Sequence, residues 1–261
     1  MAKAAYSEMM QAVAALAYRP AAGETAFYSG PTVGAGALGA AMTADDRRVK
    51  QAQALLKRLT PDDYSRFLAS YYAAGLKAHG RAWGYADIVT VLLGLADALK
   101  PSNYLEIGVR RGRSVCAVAS RAPDCALALF DMWMPGYAGM DNPGPALVKG
   151  ELARVGHRGP VEFIDGDSHE TVPAYFAARP EAAFDIITVD GDHTDEGAAQ
   201  DLADILPRLK IGGAVVFDDV CHPAHPGLRD VWNDMVAHDR RFSAWTYDQV
   251  GFGVGFAIRK F

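Results

Sequence analysis

The chain has 261 residues, 50% of them hydrophobic and 22% charged, enough for one large domain, or for a catalytic domain with an appended segment, to bury a core without staples. With 26 Lys and Arg against 31 Asp and Glu, the formal charge of −5 excludes the basic excess that a nucleic-acid-binding surface needs. The 3 cysteines, Cys116, Cys125 and Cys221, exclude a fully paired disulfide framework, show no metal-ligand spacing and suit a reducing compartment.

The opening segment, MAKAAYSEMMQAVAALAYRP, has no basic region followed by a long apolar one, and Glu8 interrupts it. The richest apolar run, Ile88 to Leu99, falls short of the ~18 residues that span a bilayer and contains Asp97. The expectation is a soluble, cytoplasmic protein with neither membrane nor nucleic acid as partner. Ser29 to Ala41 is rich in glycine and predicts a mobile loop. Within it, Gly34-Ala-Gly36-Ala-Leu-Gly39 spells G-x-G-x-x-G, but without the preceding strand and following helix of a dinucleotide fingerprint. Helices are predicted after Thr43 through Leu59, from a Thr60-Pro61 start through Lys77, and from Tyr85 to Leu99. Tyr71, Tyr72, Trp83 and Tyr85 read as helix core in preference to substrate contacts.

Near residue 100 the pattern becomes strand, turn, helix, repeated. β-rich runs occur at Tyr104–Ile107, Ala126–Phe130, Val161–Ile164, Phe184–Val189 and Ala214–Phe217. Helical segments, among them Ser114–Arg121, Thr171–Ala178, Asp195–Leu209 and Leu228–His238, separate most of them. Apolar strands alternating with helices predict a parallel sheet covered on both faces. Phe242–Tyr247 and Gly253–Arg259, joined by a short turn, predict an antiparallel hairpin. The expected architecture is therefore α/β: a doubly wound, Rossmann-like seven-stranded sheet in residues 100–261, mostly parallel with an antiparallel terminal hairpin. Residues 1–99 form an N-terminal helical extension that covers the site or makes a subunit contact.

The first βα turn reads Tyr104-Leu-Glu106-Ile-Gly108-Val-Arg-Arg-Gly112-Arg-Ser114. Gly108 permits a sharp turn, and Gly112 lets a ligand approach the helix start. Glu106, standing where a dehydrogenase has its first glycine, would repel a pyrophosphate but suits an ammonium group. Asp131 closes the second strand, where an acid accepts both ribose hydroxyls. An ordinary βα turn with Asp131 capping its loop is the bland alternative. The run Arg110-Arg-Gly-Arg113 reads as a solvated loop face before an anion site, and Met132 to Gly144 as a lid beside Asp131.

Strand four ends in Asp190-Gly-Asp192-His193-Thr-Asp195-Glu196 and strand five in Asp218-Asp219. In a doubly wound sheet these strands are neighbours ~4.8 Å apart, so the acids meet at the carboxyl edge, where ligands sit. Crowded carboxylates call for a cation, and hard oxygen donors select Mg²⁺, Ca²⁺ or Mn²⁺. Against this, Asp192 or Asp195 can simply cap the next helix, and successive strand residues such as Asp218 and Asp219 point to opposite faces. His193 is either a hydrogen-bonded helix-start residue or a general base. His169, His222 and His225 fall in carboxyl-edge loops as substrate-side or surface residues.

On these motifs, residues ~100–261 resemble the class I S-adenosylmethionine-dependent methyltransferases. The resemblance implies that Glu106, Gly108, Gly112 and Ser114 face the methionine part of the cofactor, that Asp131 binds its ribose, and that Asp167 and Ser168 lie beside the adenine, with Asp190 also at the cofactor. The stretch FDIITVDGDHTDEGAAQDLADILPRLKIGGAVVFDD is similar to the signature of a metal-dependent small-molecule O-methyltransferase group. That group includes catechol-type, macrolide-sugar and cephalosporin-tailoring relatives. It implies Asp190, Asp218 and Asp219 as ligands of a divalent ion (Mg²⁺, or Mn²⁺ or Ca²⁺), His193 with Asp190 as the catalytic residues, and a small-molecule acceptor with vicinal oxygens. Catechol-type members carry lysine at the His193 position, which leans away from a catechol. Metabolite-tailoring relatives also imply a homo-oligomer, dimer or higher. A metal-independent methyltransferase and a non-catalytic cofactor-binding scaffold remain alternatives; Glu106 and the terminal hairpin oppose a nicotinamide dehydrogenase.

Overall fold

Strand β1 (Asn103–Ile107), although it includes Glu106, is nearly all buried, as a strand covered on both faces must be. The same holds for β2 (Ala126–Asp131) and β4 (Phe184–Val189), whereas β3 (Val161–Asp165) is only partly covered. In the computed structural model, which describes residues 32–136 and 141–261, these join β5 (Leu209–Asp218), β6 (Phe242–Tyr247) and β7 (Val254–Arg259) in one seven-stranded sheet. The order is β3-β2-β1-β4-β5-β7-β6. Strands β1 to β5 run parallel, and β7 runs antiparallel to both β5 and β6. This is the expected sheet. Its order reverses between β1 and β4, which opens the ligand crevice at their carboxyl ends.

The first described helix corrects the loop expectation for the Gly-rich stretch. Ala35–Thr43 is α-helical (α1), and its Ala35 N–H donates to Ser243 Oγ at 3.0 Å. Four alanines outweigh two glycines in helix propensity, and the absent side chain of Gly39 lets α1 press onto Trp245. Residues 1–31, which hold the opening segment and the start of that stretch, lie outside the described residues.

Helices α2 (Arg47–Leu56), α3 (Asp63–His79) and α4 (Ile88–Leu99) follow. The start of α3 differs from the Thr60-Pro61 expectation: Asp62 is the cap, in a reciprocal box with Ser65, while Thr60 bonds to Glu151. Asp87 and Thr90 form the same box on α4. Residues Val89 to Ala96 of α4 are buried all round, so that helix sits inside the protein against α2, α5 (Arg113–Ala119) and α1. Burying each of its valines and leucines contributes ~1.5–3 kcal/mol. No helix among the described residues is long and apolar enough to cross a membrane.

One buried cluster combines Met42, Val49, Tyr72 and Leu92 with Leu127, Leu129 and Phe256, so the N-terminal helices share a core with one sheet face. The other face is covered by α7 (Ser168–Ala178), α8 (Asp195–Ile205) and α9 (Leu228–Trp232), around Phe176, Leu202 and Trp232. Helix α6 (Pro145–Arg154), which the sequence reading did not mark, follows the β2 connection.

Candidate functional site

Each candidate residue reaches the crevice through a local backbone device. Gly108 follows β1 at φ +90°, and a Cβ there would stand 1.9 Å from the Asp190 carbonyl oxygen. Only glycine lets the β1 and β4 turns come so close. Gly112 caps α5 at φ +76°. Asp218 ends β5, and Asp219 adopts a left-handed φ of +60°, which aspartate tolerates better than most residues. The chain thus leaves strand alternation just where it would have separated the two acids, and both line the same cavity.

That cavity, of about 480 Å³, lies between the sheet edge and the N-terminal helices. Its lining brings Asp190, His193, Asp218 and Asp219 of the sheet edge together with a stripe from α3, namely Tyr64, Phe67, Leu68 and Tyr71, joined by Tyr85. A second cavity, of about 270 Å³, runs over the ends of β1, β2 and β3 and is lined by Asp131, Asp167, Ser168 and His169 among others. Gly108, Arg110, Asp190 and His193 line both, so the two spaces meet at the end of β4.

In the smaller cavity Asp131 accepts the Arg110 N–H at 2.7 Å, the Trp133 N–H at 2.6 Å and, at 3.5 Å, the Asn142 side-chain amide. A carboxylate has about four acceptor positions, so a ribose hydroxyl can still be accepted, and a second one if it displaces the long Asn142 bond. Asp167 caps α7 through the His169 N–H at 2.9 Å. Met132, Met134 and Asn142 from the long connection also line this space; residues 137–140 of the segment read as a lid lie outside the described residues. Glu106 lines neither cavity. It is fully buried beneath the glycine turn, accepting from Tyr104 at 3.0 Å and from the Ser114 hydroxyl. Burial pushes its carboxyl up to about 8, against the opposing pull of those donors. Ser114 lines the larger cavity, whereas Gly112 packs against Val148.

At the junction, one ligand atom each from Asp190, His193 and Asp219 falls within 4.8 Å of the others. Asp218 stands outside that group but on the same cavity wall. Burial, and then the charge of Asp219, pushes Asp190 up to about 7; burial and the charges of Asp190 and Asp219 raise Asp218 well above the usual carboxylate range. A hydrogen bond to Asp219 raises His193. Two carboxylates and an imidazole at this spacing fit a hard divalent ion, whose charge would relieve the crowding.

Around the junction, Thr194 rather than Asp192 or Asp195 caps α8, with Asp195 and Glu196 in its first turn. His222 and His225 line the larger cavity, their rings 4.9 Å apart. Sequence reasoning missed the aromatic wall of the larger cavity. Tyr71 and Tyr85 line the cavity, while Tyr72 is core and Trp83 stacks on Tyr85 at 5.0 Å. The signal was present, since Tyr64, Phe67, Leu68 and Tyr71 repeat at helical spacing, but such a stripe fits a core equally well. The solvated-face reading of the arginine run also needs correcting. Arg111 and Arg113 are only 12% and 15% exposed, and both bind Asp62.

A methyltransferase domain model matches residues 105–220, the stretch that spans β1 to the turn after β5 and carries the crowded acids. That stretch, under half of the chain, is therefore similar to a methyltransferase domain, and it lies within a doubly wound sheet. Three solved structures share its fold. An O-methyltransferase from Bacillus cereus in complex with S-adenosylhomocysteine superposes with a TM-score of 0.55 at 20% identity, over 81% of this chain and 97% of the other. The O-methyltransferase TomG of tomaymycin synthesis from Streptomyces achromogenes, in complex with S-adenosylmethionine, gives 0.54 at 22% identity over 78% and 92%. The S-adenosylhomocysteine-bound methyltransferase PaMTH1 of Podospora anserina gives 0.53 at 17% identity over 82% and 88%. No curated protein matches the sequence.

Proposed function

We propose that this enzyme moves the methyl group of S-adenosylmethionine to a hydroxyl of a small-molecule acceptor, with a divalent ion at the acceptor end. The observation that carries the reading is the meeting of the two cavities at Asp190 and His193, which gives cofactor and acceptor one shared point of transfer. In this reading Gly108, Gly112 and Ser114 hold the methionine part, with Glu106 beneath that turn and held by Ser114, Asp131 the ribose, and Asp167 with Ser168 the adenine edge. Asp190, with Asp218 and Asp219, holds Mg²⁺, or Mn²⁺ or Ca²⁺. When bound, such an ion lowers the pKa of an acceptor hydroxyl and offsets the crowded carboxylates.

His193 faces the shared point and, once neutral, takes the hydroxyl proton as oxygen displaces the sulfonium sulfur at the methyl carbon. S-Adenosylhomocysteine leaves. The stripe on α3 and Tyr85 suits an acceptor with an apolar or aromatic body, and its vicinal oxygens would lie toward Asp190 and Asp219. Within the N-terminal segment, 1–99, helix α3 and Tyr85 then complete the acceptor cavity over the catalytic domain, 100–261, in a cytoplasmic homo-oligomer, dimer or higher. Because His193 Nε2 is also 3.0 Å from Asp219 Oδ2, an ion-free acid–base pair is the second reading.

One assay separates them: S-adenosylhomocysteine release over a panel of catechols, sugar diols and α-hydroxy carbonyls, with Mg²⁺ and after complete chelation. Turnover lost on chelation and restored by Mg²⁺ supports the metal reading. Turnover that survives chelation removes the metal, and cofactor binding without turnover on any acceptor favours a scaffold.

A further inference from the structure

Helix α3 forms the wall of the acceptor cavity, and its first turn is fastened to the glycine turn that follows β1. Both oxygens of Asp62 are committed, in opposite directions. Oδ1 accepts the Ser65 N–H at 2.8 Å and so caps α3. Oδ2 lies 3.2 Å from Arg111 Nε, on the glycine turn, and 3.3 Å from Arg113 Nη1, at the start of α5 where that turn ends. The Asp62 side chain is 16% exposed, so these pairs are shielded in a way that open surface pairs are not. The Arg113 guanidinium also sits 4.6 Å from the centre of the Tyr64 ring, the first member of the aromatic stripe.

We propose that Asp62 is a positioning residue that couples the two halves of the site: a cofactor ordering the glycine turn also orders the α3 wall, so the acceptor meets a formed cavity only when the methyl donor is in place. This rests on assigning the glycine turn to the cofactor. The coupling is separable from the fold, because a second tie holds the same segment. Thr60 donates to Glu151 of α6 through its N–H at 2.8 Å and its hydroxyl at 2.6 Å. Asparagine caps a helix as well as aspartate does. Asp62→Asn therefore keeps the cap and removes the charge that Arg111 and Arg113 hold.

The test needs no acceptor. Hydrogen exchange of the full-length protein is followed with and without S-adenosylhomocysteine, whose binding is measured by calorimetry on the same samples. In the wild type, S-adenosylhomocysteine slows exchange across residues 63–79; in Asp62→Asn that slowing falls at least about threefold at equal saturation, while Thr60→Ala retains it. Arg113→Gln, which leaves the cap intact, carries the same expectation as Asp62→Asn should the latter not fold. Saturation without slowing over 63–79 in the wild type, or equal slowing in both variants and wild type, overturns the coupling alone. Failure of the wild type to bind S-adenosylhomocysteine overturns the cofactor assignment, and the coupling with it.

Discussion

The imidazole Nε2 of His193 stands 3.0 Å from Asp219 Oδ2. The charge-assisted bond favours the protonated ring and lifts its pKa above 6.5, with Asp190 adding to the effect. In the divalent-free protein, NMR titration of His193 is expected to give a midpoint above 6.5, and Asp219→Asn to bring it down. The sign for stability follows: the pair's contribution is full below the unfolded value near 6.5 and is lost as pH rises through the native one. A midpoint unmoved by Asp219→Asn would remove Asp219 as the cause.

For catalysis the neutral ring is the useful form. His193→Gln should lower kcat by about 10²–10⁴, the usual span for a general base. If His193 is the base and only supports Asp219 by its hydrogen bond, Mn²⁺ affinity in the same variant should fall by no more than about 10–100-fold, the usual cost of losing such a partner. Loss of all detectable Mn²⁺ binding would make it a ligand instead.

Asp190, raised to about 7, is a burden on the divalent-free protein. Its native form holds a proton that the unfolded chain releases near 3.8, so stability falls as pH climbs from about 4 to about 7 and levels off above. Asp190→Asn should flatten that fall and raise Tm at pH 8 while leaving it unchanged at pH 3.5. Mg²⁺ should do the reverse, stabilising the wild type at pH 8 by about 2.7 kcal/mol at 100 times its Kd and Asp190→Asn far less. Calorimetric scans at the two pH values, with and without Mg²⁺, check both. A variant that Mg²⁺ stabilises as well as wild type would take Asp190 out of the site.

Glu106 poses the same question at the cofactor end. Its carboxyl, at about 8, destabilises the unliganded protein increasingly from about pH 4.5 to 8. Glu106→Gln, matched in shape, should therefore be more stable than wild type at pH 9 and equal to it at pH 4. If the charge recognises the cofactor's ammonium group, the variant should also bind S-adenosylhomocysteine about 10–100-fold more weakly, since a hydrogen bond to a charged group contributes ~1.5–3 kcal/mol. Unchanged affinity would leave Glu106 a structural residue.

The sheet was legible because largely apolar strands and the acids at their ends obey short-range rules that tertiary context rarely reverses. That Asp190, Asp218 and Asp219 come together at one sheet edge followed from the same logic, although the left-handed turn that brings Asp219 onto the wall of Asp218 has no sequence mark beyond aspartate's tolerance of it. The N-terminal part was harder. Tyr71 and Tyr72 are adjacent, yet one faces the cavity and the other is core; that choice is made by the packing of α3 on α2, not by residue type. Asp62 took the cap expected at Thr60 because Glu151, distant in sequence, claims the Thr60 hydroxyl. Gly36 and Gly39 marked a loop by composition, when only one of them is required by a neighbour.

That neighbour gives a prediction in which the usual rule changes sign. Alanine for glycine in a helix ordinarily stabilises by ~0.5–1 kcal/mol. At Gly36 a Cβ meets nothing within 4 Å, so Gly36→Ala should gain about that much. At Gly39, three residues on in α1, the Cβ would lie 2.3 Å from Trp245 Cε2. The indole cannot swing clear easily, because it packs against Phe256 at 5.3 Å and Tyr247 at 6.2 Å between ring centres. Gly39→Ala must shift α1 or the ring, and overpacking of this kind costs ~1–3 kcal/mol. Urea unfolding of the two variants should give midpoints on opposite sides of the wild type. Midpoints displaced in the same direction would mean that α1 does not pack on β6 as described, and that α1 is held by its contacts with α2 and α4.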